Sequence, residues 1–485
     1  MQKLFFSPEK PFTVIFLHLL SVVILATIPI LFAAAQPFVW PVYTVLMYLA
    51  FALLLWVVPP GERPRSGKVA YLFLGPFFLT TLFLCLPLPD SLLAFFSPTR
   101  FALLQEAQVL SGRPAIWRSL GYTPLQGLAW WGFLLSCALF YQVLVAHFKR
   151  RRLLGRTLGL LFGLAVAQSL YGLLQALVPS MGVLWVDYIP SGLGKARGTW
   201  INRNHFAGYL EMMIPLFLGY LLAQVDWHGR ISIKTLLQSD RLHRHGLFLL
   251  GLLLMALALV FSQSRTGITG GFVGLAAFLA MLGAGGRRVP KAAWLMVGAL
   301  ACLVLFYGSR IGFDPVLERF LALGEDTSRL DLWRDSKAMI LAHPLGIGPA
   351  AFKSVFPLYY THSSPGGPLP HYLHSDVLQV LTDTGWIGFA SLAGGLVFFF
   401  TRELRGVRRM DPYADPVRFF TAVGAMGGMT ALIFHSFFDF NLQIPANLVY
   451  FVMLMAIVRS CTAGAAIKRI SHRSSIVAGD HRPRQ

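Results

Sequence analysis

Long apolar stretches recur along the chain and are separated by short segments that carry its charges. Each stretch has about 20 residues, enough for a helix to cross roughly 30 Å of hydrocarbon. Hydrophobic residues make up 56% of the sequence and charged residues only 13%, which excludes a soluble domain with a large core. We predict an all-α polytopic membrane protein with about twelve spans, near 12–33, 38–58, 69–88, 126–147, 157–178, 205–223, 246–263, 267–284, 292–308, 384–401, 418–438 and 444–460.

The distribution of Lys and Arg predicts which way the chain crosses the membrane. With the N terminus in the cytoplasm, 28 of the 41 Lys and Arg residues fall in inner segments, as the positive-inside rule expects. The runs KRRRLLGR at 149–156 and RELRGVRR at 402–409 contribute most. We therefore predict that the N and C termini both lie in the cytoplasm.

The net charge of +20 is mainly a signal of this topology and of attraction to anionic lipid in the inner leaflet. The lipid bilayer is thus an expected partner, and nucleic acid is not, because the chain has no basic soluble domain. AAAQ at 33–36 resembles a signal-peptidase site. However, the apolar run before it exceeds the 7–15 residues of a signal-peptide core, so we favour an uncleaved first helix.

Two outer segments are long. Residues 89–125 contain the helix-forming run FALLQEAQVL, and residues 309–383 form a larger loop in which we expect short helices. Helical patterns fall at VLERFLAL, SRLDLWRDSKAMILAHP and HSDVLQVLTD, whereas 346–370 reads as a flexible flap over a site. The predicted organisation is thus helices 1–9 in 1–308, a large outer loop in 309–383, helices 10–12 in 384–460 and a basic cytoplasmic tail in 461–485.

Cations cluster on the predicted outer face, where a membrane protein usually has few. Arginine binds phosphate bidentately and stays charged at every relevant pH. The cluster therefore suggests a site for an anionic lipid head group, although each cation could instead anchor or snorkel at the interface. Its members are Lys195, Arg197, Arg203, Arg265, Arg329 and Arg334.

Polar residues accompany the cations at the start of the sixth span. Asn204 and His205 lie at its outer mouth, and Glu211 lies two turns inside. A carboxylate within a span is costly and suggests a functional role, usually beside a cation. The alternative is a buried structural pair between Glu211 and a polar group of a neighbouring helix.

Histidines and aspartates form two further constellations. His371 and His374 are followed by Asp376. The three residues could bind zinc, or the histidines could be solvated loop residues. The third alternative is acid–base chemistry, in which Asp376 orients the ring of His374. His435 and Asp439 stand at positions i and i+4 and form either a structural pair or part of the site. No cofactor or metal is required by any of these patterns.

Four blocks in order resemble the O-antigen ligase and polysaccharide polymerase superfamily. They are GTWINRNHFAGYLEMMIPL, SQSRTG at the start of a span, the loop with HPLGIGPAAF and HSDVLQVLTDTGWIGF, and HSFFDFNLQIPAN. Together they extend over about residues 195–450, and their order and spacing make the resemblance specific.

The resemblance implies a glycosyltransferase of the GT-C type in a bacterial inner membrane, which acts on the periplasmic side and needs no metal ion. Its catalytic segment would lie in the periplasmic loop 309–383. Its donor would be an undecaprenyl-diphosphate-linked saccharide and its acceptor a glycan or lipid, with polysaccharide-assembly proteins as possible partners. Arg203 and Arg265 correspond to diphosphate-binding arginines, Arg197, Arg329 and Arg334 would assist, and His374 corresponds to the proposed base. Ser375 stands where the family pattern has Asn.

Three functions remain open at this point. A polymerase of O-antigen or exopolysaccharide repeats is favoured over a ligase that transfers glycan to lipid A core or protein, because the NRNHFAGYLE and DFNLQIPAN blocks resemble the exopolysaccharide branch. A transporter or flippase of lipid-linked glycan belongs to a different class. Transporters usually show internal repeats and ionisable residues near the midplane. Here the ionisable residues are concentrated outside the spans, and no repeat is visible in the sequence.

Overall fold

The computed structural model describes residues 11–64, 68–113, 117–186, 194–224, 240–284, 294–295, 297–302, 306, 328–361 and 370–479. Within these ranges the chain is helical and has no β-strand. Its helices are α1 Pro11–Thr27, α2 Trp40–Val57, α3 Lys68–Cys85, α4 Asp90–Phe96, α5 Pro98–Ser111, α6 Pro124–Phe148, α7 Arg151–Leu177, α8 Arg203–Leu222, α9 Asp240–Phe261, α10 Arg265–Gly283, α11 Ser328–Ala342, α12 Phe352–Val355, α13 Asp376–Arg408, α14 Pro416–Ser436 and α15 Pro445–Gly479.

The membrane prediction is confirmed by the length and composition of these helices. Eight are long and apolar enough to cross a bilayer, and three shorter apolar helices coincide with predicted spans at 12–33, 69–88 and 246–263. The ninth predicted span, 292–308, is described only in part, with 294–295, 297–302 and 306 helical, and the predicted helix VLERFLAL lies outside the described residues. The chain is thus an all-α polytopic membrane protein.

Helix α8 is the centre of the bundle. Of its 18-residue apolar window, 94% is buried inside the protein, whereas most other spans leave one side exposed. Helix α14 packs antiparallel to α8, and the two backbones touch. A Cβ at Gly424 would overlap the backbone of Pro215, and a Cβ at Gly428 would overlap that of Met212. Small residues at such crossings bring helix backbones close together in membranes.

The loop between α10 and α13 carries the predicted short helices. The segment SRLDLWRDSKAMILAHP forms α11, which ends at Ala342, and HSDVLQVLTD forms the first turns of α13. Helix α13 kinks at Gly385, whose φ of 63° is rare for other residues. The kink separates a short outer piece of the helix from its long apolar part.

The described part of 346–370 differs from the predicted flexible flap. Phe352, Val355 and Phe356 are buried in a small core with Leu332 and Met339 of α11. Backbone hydrogen bonds from Ile347 and Gly348 to Thr382 and Asp383 attach the segment to α13. Residues 346–361 are therefore a packed part of the fold, because their aromatic side chains bury themselves against α11, while 362–369 lie outside the described residues.

Candidate active site

Asp439 lies in the turn between α14 and α15 and is fully buried. Its backbone N–H donates to the carbonyl of His435, which continues α14 by one turn. Its backbone carbonyl accepts from the N–H of Asp376, 3.0 Å away, at the start of α13. The turn after α14 and the start of α13 are therefore held together at the end of the bundle where α8 begins.

The carboxylate of Asp439 is contacted from three separate segments. Oδ2 accepts hydrogen bonds from Asn204 Nδ2 at 2.7 Å and from Arg329 Nη2 at 3.3 Å. Oδ1 accepts from the N–H of Phe440 at 2.9 Å and lies 3.4 Å from His374 Nδ1. The first turns of α8 and α11 and the loop before α13 thus converge on one carboxylate.

His205 completes this group, with its Nε2 at 3.9 Å from Asp439 Oδ1. We call Asn204, His205, Arg329, His374 and Asp439 the Asp439 cluster. Burial alone would raise the pKa of Asp439, but the hydrogen bond from His374 and the charges of His205 and Arg329 outweigh it. They hold the pKa of Asp439 well below its usual range, so the carboxylate is ionised at neutral pH.

The backbone at His374 adopts a conformation that is uncommon for a residue other than glycine. Its φ is 48°, in the left-handed region. The preceding residue is fixed on both sides, since the carbonyl of Leu373 accepts from Trp333 Nε1 and its N–H donates to Gln379 Oε1. Such constrained backbones persist only where surrounding contacts enforce them and are frequent at active sites.

The imidazole of His374 is oriented by its contact with Asp439. Because Nδ1 faces the carboxylate, Nδ1 is the nitrogen that carries the proton, and Nε2 is left as the basic nitrogen. The side chain is 33% exposed, so Nε2 can be reached from outside. A carboxylate–imidazole pair of this kind is a suitable general base.

Asp376 was expected to orient His374, and the structure corrects that expectation. Its Oδ2 accepts hydrogen bonds from Ser436 Oγ at 2.8 Å and from the N–H of Leu442 at 2.9 Å. As the first residue of α13, Asp376 turns its buried side chain toward the end of α14 rather than toward the loop before it. The carboxylate that contacts His374 is Asp439.

An aromatic ring that the sequence reasoning missed lies under the cluster. The ring of Phe440 meets those of His205 and His374 edge-on, with centroids 4.6 and 4.9 Å apart. Tyr372 stacks on the same ring at 4.5 Å. Phe440 directly follows Asp439 in the DFNLQIPAN block. Its position next to a candidate site residue was the only feature of the sequence that could have indicated its role.

Glu211 and His435 form a second buried pair, one layer deeper. His435 Nδ1 lies 3.0 Å from Glu211 Oε1, and both side chains are fully buried between α8 and α14. The sequence suggested that His435 pairs with Asp439 and that Glu211 pairs with a polar group of a neighbouring helix. In the structure the ring of His435 contacts Glu211, and the backbone carbonyl of His435 accepts the N–H of Asp439. This pair joins the two central helices directly beneath the Asp439 cluster.

Arg203 and Arg265 occupy the first turns of two neighbouring helices, α8 and α10. Gly267 of α10 packs against Ala207 of α8, and one turn further Gly270 packs against Glu211. The two helices therefore run side by side in the same direction, with both N-termini at the same end. Helix N-termini and arginines together favour an anion.

Arg197 is buried in the segment that precedes α8. Its backbone N–H donates to Gln175 Oε1, and Ala196 N–H donates to the carbonyl of Phe261, close to the start of α10. Only 2% of Arg197 is exposed, and its Nε and Nη1 have no hydrogen-bond partner among the described residues. Burial lowers the pKa of this guanidinium, so an anion at this position would be strongly favoured.

The remaining two predicted arginines differ from each other. Arg329 donates to the carbonyl of Phe438 at 2.5 Å as well as to Asp439, so it already holds the turn after α14. Arg334 lies on the same helix, pairs with Asp331 one turn earlier at 3.0 Å, and is 66% exposed. The structure brings Arg329 into the Asp439 cluster and leaves Arg334 on the surface of α11.

A family comparison covers part of this site. Residues 250–393 match the family model described as Wzy_C, O-Antigen ligase. The matched segment contains Arg265, Arg329, Arg334, His374 and Asp376, whereas Asp439 and the residues of α8 lie outside it. No curated protein matches the chain.

The family match gives the chain a general biochemical class. It indicates a bacterial membrane enzyme that transfers glycosyl groups in glycan ligation or polymerisation, with lipid-linked glycan and acceptor substrates. The helical bundle agrees with that class. With its motif order, its membrane helices and the match over residues 250–393, this part of the chain is similar to the O-antigen ligase family.

Proposed function

We propose that the protein is a periplasmic-side, metal-independent and inverting glycosyltransferase that polymerises O-antigen or exopolysaccharide repeat units. Its donor would be an undecaprenyl-diphosphate-linked glycan. The observation that carries this proposal is the contact between His374 and the ionised Asp439, at the end of the bundle where the helices of Arg203 and Arg265 begin. A general base and a set of cations for a diphosphate are thus available at the same end.

The donor diphosphate is assigned to Arg203, Arg265 and Arg197. The parallel N-termini of α8 and α10 and the buried guanidinium of Arg197 support this assignment. Fixed guanidinium groups in a poorly hydrated site stabilise the negative charge that develops on a leaving diphosphate, and one such donor contributes about 3 kcal/mol. Arg329 remains a candidate for a contact with the donor and also holds Asp439, whereas Arg334, exposed and paired with Asp331, is not assigned to the donor.

The reaction would be a direct displacement. The acceptor hydroxyl oxygen forms a bond to the anomeric carbon as the bond from that carbon to the diphosphate oxygen breaks, and the electron pair leaves with the diphosphate. The hydroxyl proton passes to His374 Nε2, while Asp439 stabilises the imidazolium that results. In-line attack inverts the anomeric centre. A positioned base of this kind contributes about 10²- to 10⁴-fold.

The orientation of the site follows from the charge distribution. The loops at the opposite end of the bundle carry the runs KRRR and RELRGVRR, which favours the cytoplasm for that end and for both termini. The Asp439 cluster would then face the periplasm, on the side where the lipid-linked glycan is displayed. The inner membrane is the proposed location.

A ligase is the second candidate, because the matching family model is described as O-Antigen ligase. A ligase would transfer a finished glycan to lipid A core or protein through the same base and cations. The two differ in the acceptor, which the Asp439 cluster does not identify.

Deletion of the gene, followed by analysis of lipid-linked intermediates and of surface polysaccharide, tests the proposal. Single repeats on the lipid carrier, facing the periplasm, are expected. Full-length lipid-linked chains would instead identify a ligase. Accumulation of single repeats on the cytoplasmic face would contradict the transferase proposal and indicate a flippase.

A further inference from the structure

A cleft lies at the end of the bundle opposite the Asp439 cluster. It forms where α1, the end of α2 and the end of α6 meet, and part of it is open to the surroundings. Its walls are apolar, from Val14, Leu17, Leu54 and Ala146 among others. Neither the transferase site nor the family match at 250–393 extends to this cleft.

Two cations line the cleft where the apolar walls end. Lys149 and Arg150 follow directly on α6, at the start of the KRRR run, and both are half-buried. Burial lowers the pKa of each of them, so both charges are partly withdrawn from water and gain from a nearby anion. Glu62 is the acidic residue in the lining; it is exposed, and its charge raises the pKa of Lys149 against the larger effect of burial.

A polar atom deeper in the cleft also lacks a partner. His18 Nδ1 lies 3.1 Å from His147 Nδ1, and His147 Nε2 lies 2.9 Å from Thr157 Oγ1. His18 Nε2, the other ring nitrogen, is buried and has no hydrogen-bond partner among the described residues. Since His18 lines the cleft, a polar group of an occupant could satisfy this nitrogen.

The surroundings of the cleft are those of a lipid-facing surface. Ile15 and Leu19, on either side of His18 along α1, are 60% and 56% exposed. Trp56, near the end of α2, is 68% exposed, and tryptophan is enriched where a membrane meets water. The cleft therefore sits at the level of the lipid head groups.

We propose that this cleft binds one anionic phospholipid of the leaflet on that side. An acyl chain would occupy the apolar part, Lys149 and Arg150 would hold the phosphate, and His18 Nε2 would hydrogen-bond a head-group or ester oxygen. The combination of an apolar slot, two cations at its mouth and an unsatisfied ring nitrogen favours a lipid over a free phosphate, which needs no apolar wall.

Native mass spectrometry of the purified full-length protein, titrated with phosphatidylglycerol, tests this proposal. The variant Lys149→Gln/Arg150→Gln should bind the first phosphatidylglycerol about thirtyfold more weakly than wild type, because each basic residue near an anionic lipid contributes about 1 kcal/mol. Arg151→Gln/Arg152→Gln is the matched control. It removes the same charge from two exposed neighbours outside the cleft lining, and it should bind like wild type.

One further variant and one competition experiment identify what the cleft binds. Ala146→Leu, which fills the apolar wall and keeps both cations, should also weaken phosphatidylglycerol binding, and inorganic phosphate should not displace the lipid. Equal loss in both double variants would overturn the proposal in favour of diffuse attraction to the basic surface. Unchanged binding in Ala146→Leu, or displacement by phosphate, would show that the cleft binds an anion only.

Discussion

At the scale of single residues, Asp439 holds together segments that are far apart in sequence. Asp439→Asn keeps the shape of the side chain but removes the charge that Arg329 and His374 contact. Breaking a buried ion pair on one side typically costs about 3 kcal/mol, so we expect lower thermal stability in detergent and a loss of glycan product.

The effect of Asp439→Asn depends on pH in a defined direction. The folded-state pKa of Asp439 is lowered, so its contribution to stability is complete above the pKa of an unfolded aspartate and is lost as pH falls. The difference in stability from wild type should therefore be largest at neutral pH and shrink in acid. Asp331→Asn, which removes the partner of the exposed Arg334, is the control. An equally large loss in that control would contradict the role of Asp439.

The arginines of the helix N-termini should behave as phosphate ligands rather than as general cations. Arg203→Lys and Arg265→Lys should lose most transferase activity, because lysine keeps the charge but not the bidentate geometry. Arg334→Lys should retain activity, since Arg334 is exposed and paired on its own helix. Product formation at matched protein levels measures this. Near-normal activity in both Arg203→Lys and Arg265→Lys would show that these arginines do not bind the diphosphate bidentately.

The sequence predicted the residue types of the candidate site better than their pairings. His374 and Asp439 were both recognised as candidates, but Asp376 was paired with His374 because it is two residues away. The actual partner lies 65 positions along the chain and is brought close by the turn after α14. Pairings of this kind depend on helix packing, which sequence spacing alone does not contain.

At the scale of the elements, the close approach of α8 and α10 sets the separation of Arg203 and Arg265. Gly267→Ala would place a Cβ on Ala207 and push the two helices apart, whereas Gly271→Ala on the same helix meets only the flexible end of Leu259. We expect Gly267→Ala to lower both thermal stability and activity, and Gly271→Ala to leave both near wild type. Equal behaviour of the two variants would show that this helix contact does not matter.

The helices of the outer loop agree closely with the sequence prediction. The helix at 328–342 and the helix after His374 were predicted within a few residues. The segment at 346–361 is not the predicted flap, although it contains two Gly and two Pro residues. Its aromatic residues pack against α11 instead, and glycines at 346 and 348 with φ near 95° turn the backbone toward α13.

At the scale of the whole molecule, the positive-inside orientation decides where the site faces. Arg408 ends α13 at one end of the bundle, and Thr361 lies in the segment packed at the other end. A reporter fused after Arg408 should therefore report the cytoplasm and one fused after Thr361 the periplasm. A cytoplasmic signal at Thr361 would place the Asp439 cluster on the wrong side of the membrane for a periplasmic transferase.

The most direct measurement compares His374→Ala with wild type for both donor binding and product formation in purified protein. We expect His374→Ala to bind the lipid-linked donor normally, because the arginines at the helix N-termini are separate from it, and to make no extended glycan. His371→Ala, an exposed neighbour in the same loop, should remain active. Wild-type turnover in His374→Ala, or a larger loss in His371→Ala, would contradict the assignment of His374 as the base.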